Sequence, residues 1–440
     1  MHGVEITKNL SHNLTISLGK TMAMQATANK ETFRQYLLFF SGQQVSLLGS
    51  SIVQFVVVWW ITVETGSPVY LSLAALAGFA PLVILSPFGG VLVDRFSRKR
   101  VILIADLCQT VATIVLILCF WLDLASIYVV LGIILLRGVF QAFHMPAVNA
   151  IIPSMVPQDK LSRINSLEYV FNGIVQVSGP VIAALLLTFV SIDQLLWIDP
   201  ITFVAAILVL LIVKIPSVRS IAGKSTFRQD FTEGISYLRK ATGFIPLIFL
   251  AVALNFLITP FSTLLPYFVK FDHLGGAANL ALVQAFLQGG FIAGGLFMLL
   301  TKGFRRKVLA SIISLLIGLT GYALVSLTPM GLFWFMAVAV LIFTIPIPVT
   351  NISVRTILQI HAPLEIQGRI TSVVISLASI ATPVSMILSG VLASYIGTST
   401  LFLSCALIGI FVTILCWFFT DIRKLEKLQD IQGAQSTSSV

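Results

Sequence analysis

The chain has 440 residues, of which 57% are hydrophobic and only 10% are charged, and its mean hydropathy is +1.00. No class of soluble protein has this composition, so the chain is predicted to cross a membrane many times. The formal net charge of +10 does not require a nucleic-acid partner, because basic residues on the cytoplasmic side of a membrane protein give the same total.

Residues 1–33 are polar, and no apolar core precedes Phe33, which predicts a cytoplasmic tail without a cleavable signal. Beyond it, twelve apolar stretches are long enough to span a bilayer as helices. They lie near 36–63, 69–93, 101–122, 126–150, 165–189, 195–213, 244–269, 278–301, 308–328, 331–351, 370–396 and 399–420. The predicted fold is therefore an all-α membrane protein with twelve transmembrane helices, numbered one to twelve in chain order.

The longest interruption, residues 214–243, separates six helices from six. Its apolar residues Phe227, Phe231, Ile235 and Leu238 recur at helical spacing, which predicts an amphipathic helix on the inner membrane surface. The predicted parts are a cytoplasmic tail at 1–33, an N-terminal six-helix bundle at 34–213, a cytoplasmic linker at 214–243, a C-terminal six-helix bundle at 244–420 and a second cytoplasmic tail at 421–440.

The two halves resemble each other in sequence. The loop after helix four, residues 156–166, and the loop after helix ten, residues 362–372, share a proline, an acid, an arginine, an isoleucine and a serine at the same spacing. Paired six-helix pseudo-repeats are typical of transporters that alternate access to a central site. All but two of the 27 Lys and Arg residues lie in the tails or on one face, so both termini are predicted to be cytoplasmic; the exceptions are Lys270 and Arg137.

A dense run of charge from Gly90 to Arg100 separates helices two and three and predicts a tight turn at the membrane surface. The run resembles the G-x-L-x-D-R-x-G-R-K loop of the major facilitator superfamily, with Ser97 in place of the second glycine. The residues that match are Gly90, Leu92, Asp94, Arg95, Arg98 and Lys99. An ordinary positive-inside loop explains the basic residues but neither Asp94 nor the glycine before it.

The resemblance implies that this loop belongs to a conformational gate, formed by Gly90, Asp94, Arg95, Arg98 and Lys99 together with Gly179 and Pro180 of helix five. Asp94 is predicted to lie near the N-terminal end of helix eleven, at residues 368–372, where exposed backbone N–H groups favour an anion. Gly179 and Pro180 resemble the Gly-Pro motif of drug antiporters, and a simple packing kink explains this dipeptide equally well.

Five helices carry polar residues three or four positions apart, which places each set on one helix face. The sets are Gln43, Ser46, Ser50 and Gln54; Arg137, Gln141 and His144; Glu168, Asn172 and Gln176; Asn255, Thr259 and Ser262; and Gln284 and Gln288. Such sets either form hydrogen bonds between helices or line a polar cavity. Their occurrence in both halves favours a shared substrate cavity.

Arg137 lies about 13 residues from the cytoplasmic end of helix four, roughly 20 Å deep. Neither membrane surface is within easy reach of its side chain, so a functional role is favoured over a snorkelling arginine. Its position resembles that of the helix-four arginine in proton-coupled antiporters. We expect no Asp or Glu at this depth, which leaves the charge to polar side chains, water or an acidic part of the substrate.

A proton carrier must be an ionisable group inside the membrane whose charged form is disfavoured by burial. Asp106, His144 and Glu168 qualify. We predict that Glu168 exchanges the proton and that His144 tunes or relays it. For Asp106, a structural ion pair with Arg98 or Lys99 is the preferred alternative.

The sequence contains no G-x-x-x-x-G-K-[ST], H-E-x-x-H or G-x-S-x-G motif with suitable partners, so neither an enzyme nor a nucleotide-driven pump is expected. The four cysteines lie in apolar segments without metal-type spacing and are predicted to be core residues, with no metal or other cofactor. They are Cys108, Cys119, Cys405 and Cys416.

Several segments resemble the macrolide-efflux branch of the superfamily: residues 42–47, 65–67, 91–95, 142–147 and 421–425. The resemblance implies a monomeric exporter of amphiphilic small molecules in the bacterial inner membrane, coupled to protons. Siderophore exporters and lysophospholipid flippases are similar enough to remain alternatives. A non-transporting membrane receptor or scaffold is a further alternative, against which the predicted cavity argues.

Overall fold

The computed structural model describes residues 28–216, 232–233, 235–238, 243–301, 304, 306–361 and 367–426. These residues are almost entirely helical. The helices are α1 (Lys30–Thr65), α2 (Pro68–Arg95), α3 (Arg98–Trp121), α4 (Ile127–Met155), α5 (Gln158–Leu186), α6 (Ile192–Leu195), α7 (Ile198–Ile212), α8 (Phe244–Tyr267), α9 (Ala277–Leu300), α10 (Lys307–Ser326), α11 (Phe333–Thr344), α12 (Pro346–His361), α13 (Gln367–Ile396) and α14 (Thr398–Phe419).

Within the described part of the chain, twelve helical segments are long and apolar enough to cross a membrane. The sixth combines α6 with α7, the seventh extends α8 by a π-helical turn at Phe268–Asp272, and the tenth combines α11 with α12. This confirms the prediction of an all-α membrane protein with twelve transmembrane helices. The breaks within the sixth and tenth segments were not predicted.

The first helix begins inside the segment predicted as a tail. A reciprocal pair of hydrogen bonds starts α1: the Asn29 side chain accepts from the Thr32 N–H at 2.9 Å, and the Thr32 hydroxyl accepts from the Asn29 N–H at 2.8 Å. This arrangement satisfies two N–H groups that a helix start otherwise leaves unpaired. Helix α1 therefore begins at Lys30 rather than near residue 36.

The chain forms two compact units whose boundaries differ from the predicted bundles. One lies within Met1–Val53, Ala80–Val175 and Asp193–Gly223, and the other within Gln54–Phe79, Gln176–Ile192 and Lys224–Val440. Helices α1, α2 and α5 therefore contribute to both units. Helix α1 has 36 residues and is about 54 Å long, so its two ends can pack in different cores.

The core of the first unit is apolar and is drawn from six helices, α1 to α5 and α7. Tyr36 and Phe39 of α1 pack with Ile102 of α3, Ile151 of α4 and Leu210 of α7. Close approach depends on glycine in two places. A Cβ on Gly49 of α1 would lie 2.0 Å from the Thr202 hydroxyl of α7, and one on Gly89 of α2 would lie 2.5 Å from the Ala142 carbonyl oxygen of α4.

The second unit has an aromatic core. Phe261, Tyr322, Phe343 and Phe402 are buried, with ring centroids 5.1–5.7 Å apart, and Phe268 packs on Phe402 at 5.1 Å. A second cluster, around Phe244 and Ile357, also buries Leu238 of the helical residues 235–238.

Leu238 and Ile235, which packs against this cluster, are two of the four apolar residues predicted for the amphipathic helix. The other two, Phe227 and Phe231, lie outside the described residues.

The junction of α11 and α12 packs tightly against α9. A Cβ on Gly294 would lie 2.1 Å from the Ile345 carbonyl oxygen, and one on Gly290 would lie 1.9 Å from the Thr344 hydroxyl oxygen. Small residues let transmembrane helices approach closely where lipid provides little hydrophobic drive for association.

Gly294→Ala is expected to lower the thermal stability of the purified protein, because the added methyl group meets main chain that cannot rotate away. Overpacking of this kind costs about 1–3 kcal/mol. Gly289→Ala on the same helix is the matched control, because a Cβ there meets nothing within 4 Å. Melting curves in detergent should separate the two variants; equal melting temperatures would contradict the close approach of α9 to the junction.

His273 makes the stability of the second unit depend on pH. It lies between α8 and α9, is 5% exposed, and has its ring 4.5 Å from that of Phe268. Burial lowers the pKa of His273 below its ordinary value of 6.5, although a hydrogen bond to the Pro329 main chain opposes the shift. The folded state therefore binds fewer protons at His273 than the unfolded chain does.

The His273 contribution to stability is expected in full above about pH 6.5 and to be lost progressively as the pH falls below that value. Melting temperatures measured from pH 8 to pH 5 should fall less steeply for His273→Gln than for the parent. Parallel curves for the two proteins would show that His273 does not carry this dependence.

Candidate functional site

The first unit contains a polar cluster centred on one carboxylate. Asp199 lies in the first turn of α7 and is 0% exposed. Its Oδ1 accepts a hydrogen bond from Ser50 of α1 at 2.7 Å, and its Oδ2 accepts from Thr113 of α3 at 2.8 Å. Arg137 of α4 forms an ion pair with Oδ2 at 2.5 Å and also donates to the Thr113 hydroxyl. The cluster joins four helices through a single side chain.

The expectation that no acid lies level with Arg137 is wrong. Asp199 is about 14 residues from the C-terminal end of predicted helix six, roughly 21 Å by helical rise, and this count matches the depth of Arg137. The signal was therefore present in the sequence but was overlooked. Because Arg137 keeps its charge and Asp199 balances it, the ion pair leaves little net charge for an anionic ligand.

Glu168 of α5 has a different partner. It accepts a 2.5 Å hydrogen bond from the hydroxyl of Tyr36, a residue of α1 that is 1% exposed. The Tyr36 ring stacks on the Phe40 ring, with the two centroids 6.2 Å apart. The Phe40 and Phe171 rings pack edge to face, with their centroids 5.7 Å apart. Glu168 therefore lies at one end of an aromatic row shared by α1 and α5. Tyr36 was not predicted as a site residue, because it lies at the very start of predicted helix one.

Amide side chains continue from this row along α1 and α5. Gln44 donates to Asn172 at 3.4 Å, and Asn172 is exposed. Gln54 and Gln176, which belong to the second unit, are also exposed. Lipid cannot form hydrogen bonds with exposed amides on a spanning helix, so such groups face water or a neighbouring helix. Of the other predicted cavity residues in the first unit, Gln43 and Gln141 are half-buried and Ser46 is buried.

Asp106 and His144 face each other across α3 and α4. His144 Nε2 lies 3.1 Å from Asp106 Oδ1, and the side chains are 14% and 1% exposed. The expected ion pair of Asp106 with Arg98 or Lys99 is wrong. Arg98 donates to the Ala150 carbonyl oxygen at 2.7 Å, and Lys99 donates to main-chain carbonyl oxygens at the end of α7.

The two residues of the predicted proton relay, Glu168 and His144, therefore have different partners. Glu168 accepts a hydrogen bond from Tyr36, and His144 lies against Asp106.

The predicted cavity residues of the second unit bond mainly to their own helix. Asn255 and Ser262 are exposed and Thr259 is buried, and these three side chains donate to main-chain carbonyl oxygens of α8 at 2.6–2.9 Å. Gln284 and Gln288 of α9 are half-buried. Bonds within one helix leave Asn255 and Ser262 with further hydrogen-bonding capacity.

The predicted gate is described only in part. Gly179 and Pro180 are buried within α5, which continues through them. The side chains of Asp94 and Arg95 and the surroundings of Gly90 lie outside the described part of the structure, as do the surroundings of Gly368 and the side chains of Arg369 and Ser372. The contact of Asp94 with the start of helix eleven remains a prediction. Within the described part of the chain, no three His, Cys, Asp or Glu side chains are grouped as metal ligands.

Neutralising either member of the Arg137–Asp199 pair is expected to destabilise the protein by about 3–5 kcal/mol, because the other charge is left buried and uncompensated. Arg137→Gln and Asp199→Asn should each lower the melting temperature, and the double variant should recover most of the loss. If the double variant melts at least as low as the single variants, the two charges do not compensate each other.

Comparison with known proteins agrees with this architecture. Residues 39–385 match the model of the Major Facilitator Superfamily. Macrolide efflux protein A of Streptococcus pyogenes is 30% identical, over 89% of this chain and 97% of its own, and multidrug efflux pump Tap of Mycolicibacterium fortuitum is 26% identical, over 86% and 93%. The crystal structure of nucleoside transporter NupG has the same fold, with a TM-score of 0.63 at 14% identity, covering 88% of this chain and 98% of NupG. The chain therefore belongs to the Major Facilitator Superfamily, as the loop between helices two and three predicted.

Proposed function

We propose that this protein is a secondary active exporter of amphiphilic, macrolide-like small molecules that works by alternating access in exchange for protons. It acts as a monomer in the bacterial inner membrane, with both termini and the linker at 214–243 on the cytoplasmic side. Similarity to a macrolide efflux protein and to a multidrug efflux pump, each over more than four-fifths of the chain, supports the substrate class.

The observation that carries the proton coupling is that the Glu168 carboxylate has the neutral Tyr36 hydroxyl, and not a cation, as its hydrogen-bond partner. Tyr36 is a neutral donor, so Glu168 has no permanent cation in this contact to hold its carboxylate in the charged form. Asp199 has such a cation in Arg137 and is a poor proton carrier. Glu168 is therefore the carboxylate of the two that can take up a proton on one side of the membrane and release it on the other.

The surroundings of Glu168 suit an amphiphilic substrate. The rings of Phe40 and Phe171 offer apolar surface, and the exposed amide of Asn172 offers hydrogen bonds. Ligand sites commonly combine apolar walls with a few polar groups that set orientation.

The siderophore alternative was favoured in the sequence by the apparently unbalanced charge of Arg137, which Asp199 compensates. The lysophospholipid flippase, which rested on similarity within the branch, stays an alternative. A receptor without transport activity remains a separate alternative, and it predicts no protein-dependent accumulation of any drug in energised vesicles.

Glu168→Gln should bind a macrolide and carry it down its gradient, but should fail to accumulate it in energised inverted membrane vesicles. The variant keeps the shape of the side chain and removes the group that binds the proton. The matched control is Tyr36→Phe, which removes the hydrogen bond but keeps the carboxylate and should still accumulate drug. Accumulation by Glu168→Gln equal to that of the parent at several pH values would rule out Glu168 as the carrier.

A further inference from the structure

We propose that Asp106 and His144 form a second proton-binding site, so that each exported molecule is exchanged for two protons. This inference rests on the proposed function, because it adds a second proton to the one that Glu168 carries. The pair lies between α3 and α4 and shares no described contact with Glu168, whose hydrogen-bond partner is Tyr36.

The burial of Asp106 is the first argument. Its side chain is 1% exposed, and neither carboxylate oxygen has a hydrogen-bond partner among the described residues. The nearest polar group given by the structure is His144 Nε2, 3.1 Å away. Among the described residues, no Lys or Arg lies within ion-pair distance of Asp106. A buried carboxylate without a cation costs several kcal/mol.

One proton removes this cost. The pair is neutral overall whether the proton lies on the carboxylate or on the imidazole, and it carries one negative charge when the proton leaves. Asp199 provides the contrast within the same unit, because its partner Arg137 keeps a permanent positive charge and needs no proton. Of these two pairs, only Asp106–His144 contains no permanently charged group.

Three charged groups of α3 and α4 whose side chains the structure describes have partners other than Asp106 and His144. On α3, Arg98 donates to the Ala150 carbonyl oxygen and Lys99 to those of α7. On α4, Arg137 is bound to Asp199. Helix α2 approaches α4 at Gly89, which carries no charge.

The packing of α2 on α4 offers a means of changing access to the pair. A Cβ on Gly89 would lie 2.5 Å from the Ala142 carbonyl oxygen and 3.4 Å from Pro146 Cγ, and these two residues flank His144 on α4. The His144 side chain is 14% exposed, so its ring already has contact with the surroundings. A shift of α2 along this contact would cover or uncover the ring, as a proton site in an alternating-access cycle requires.

The number of protons is measurable in liposomes that contain the purified protein. A pH gradient is imposed at zero membrane potential, and the equilibrium accumulation of a labelled macrolide is corrected with protein-free liposomes. Two protons give about 100-fold accumulation per pH unit and one gives about tenfold, because each proton contributes one factor of ten. The parent is expected to show 100-fold accumulation, and Asp106→Asn and His144→Gln tenfold.

The matched control is Thr110→Val, one turn along α3 from Asp106, where the Thr110 hydroxyl bonds to the Asp106 main chain. This variant disturbs the same helix without removing an ionisable group, so its accumulation should stay near 100-fold. Structural damage slows transport but does not change an equilibrium ratio, so the readout separates a proton site from a packing role.

Tenfold accumulation by the parent would overturn this inference and leave the proposed function intact. Accumulation of 100-fold per pH unit by both Asp106→Asn and His144→Gln would also overturn this inference. If no pH gradient drives accumulation, proton exchange fails and this inference fails with it.

If the pair variants are inactive, proton release on macrolide binding decides the question, measured in detergent with a pH-indicator dye. Glu168→Gln should still release one proton per bound macrolide from the remaining site. Release of none would rule out the second site.

Discussion

The first unit depends on the burial of the Asp199 carboxylate. Neither lipid nor apolar side chains can solvate a buried charge, so every lone pair must find a donor within the protein. Ser50, Thr113 and Arg137 provide these donors from three different helices. Each helix is thereby fixed in rotation as well as in distance, since a turn of any one of them would remove a donor. Gly49, next to Ser50, provides the close approach of α1 to α7 that the contact needs.

Three carboxylates inside the same unit have three kinds of partner, and the partner decides what each can do. Arg137 is permanently charged and pairs with Asp199, which suits a structural role. Glu168 has a neutral hydrogen-bond donor, Tyr36, as its partner. Asp106 has His144, a side chain that can itself hold a proton.

The fold was predictable from the sequence to a greater extent than the site. Hydropathy fixes the number of spanning helices, because a bilayer demands about 20 apolar residues for each. It does not reveal the break between α6 and α7 or the start of α1 at Lys30, which depend on local hydrogen bonds. The depth of a residue in the membrane can also be estimated from its distance in sequence to the end of its helix. This estimate places Asp199 at the same depth as Arg137.

The orientation of each helix about its own axis cannot be obtained in this way. This orientation decides which side chains of neighbouring helices meet. Glu168 and His144 have similar depths in the sequence, but α5 turns one toward Tyr36 and α4 turns the other toward Asp106. A single sequence contains no direct record of such contacts.

The basic residues at the start of α3 have a structural role as well as a charge. Arg98 and Lys99 bind carbonyl oxygens of Ala150, Leu211 and Val213, near the C-terminal ends of α4 and α7. Carbonyl groups at helix ends lack partners within the helix and carry partial negative charge, so cations stabilise them. Helix α4 carries Arg137 and His144, and α7 carries Asp199. Arg98 and Lys99, in the first turn of α3, therefore hold the helices that carry Arg137, His144 and Asp199.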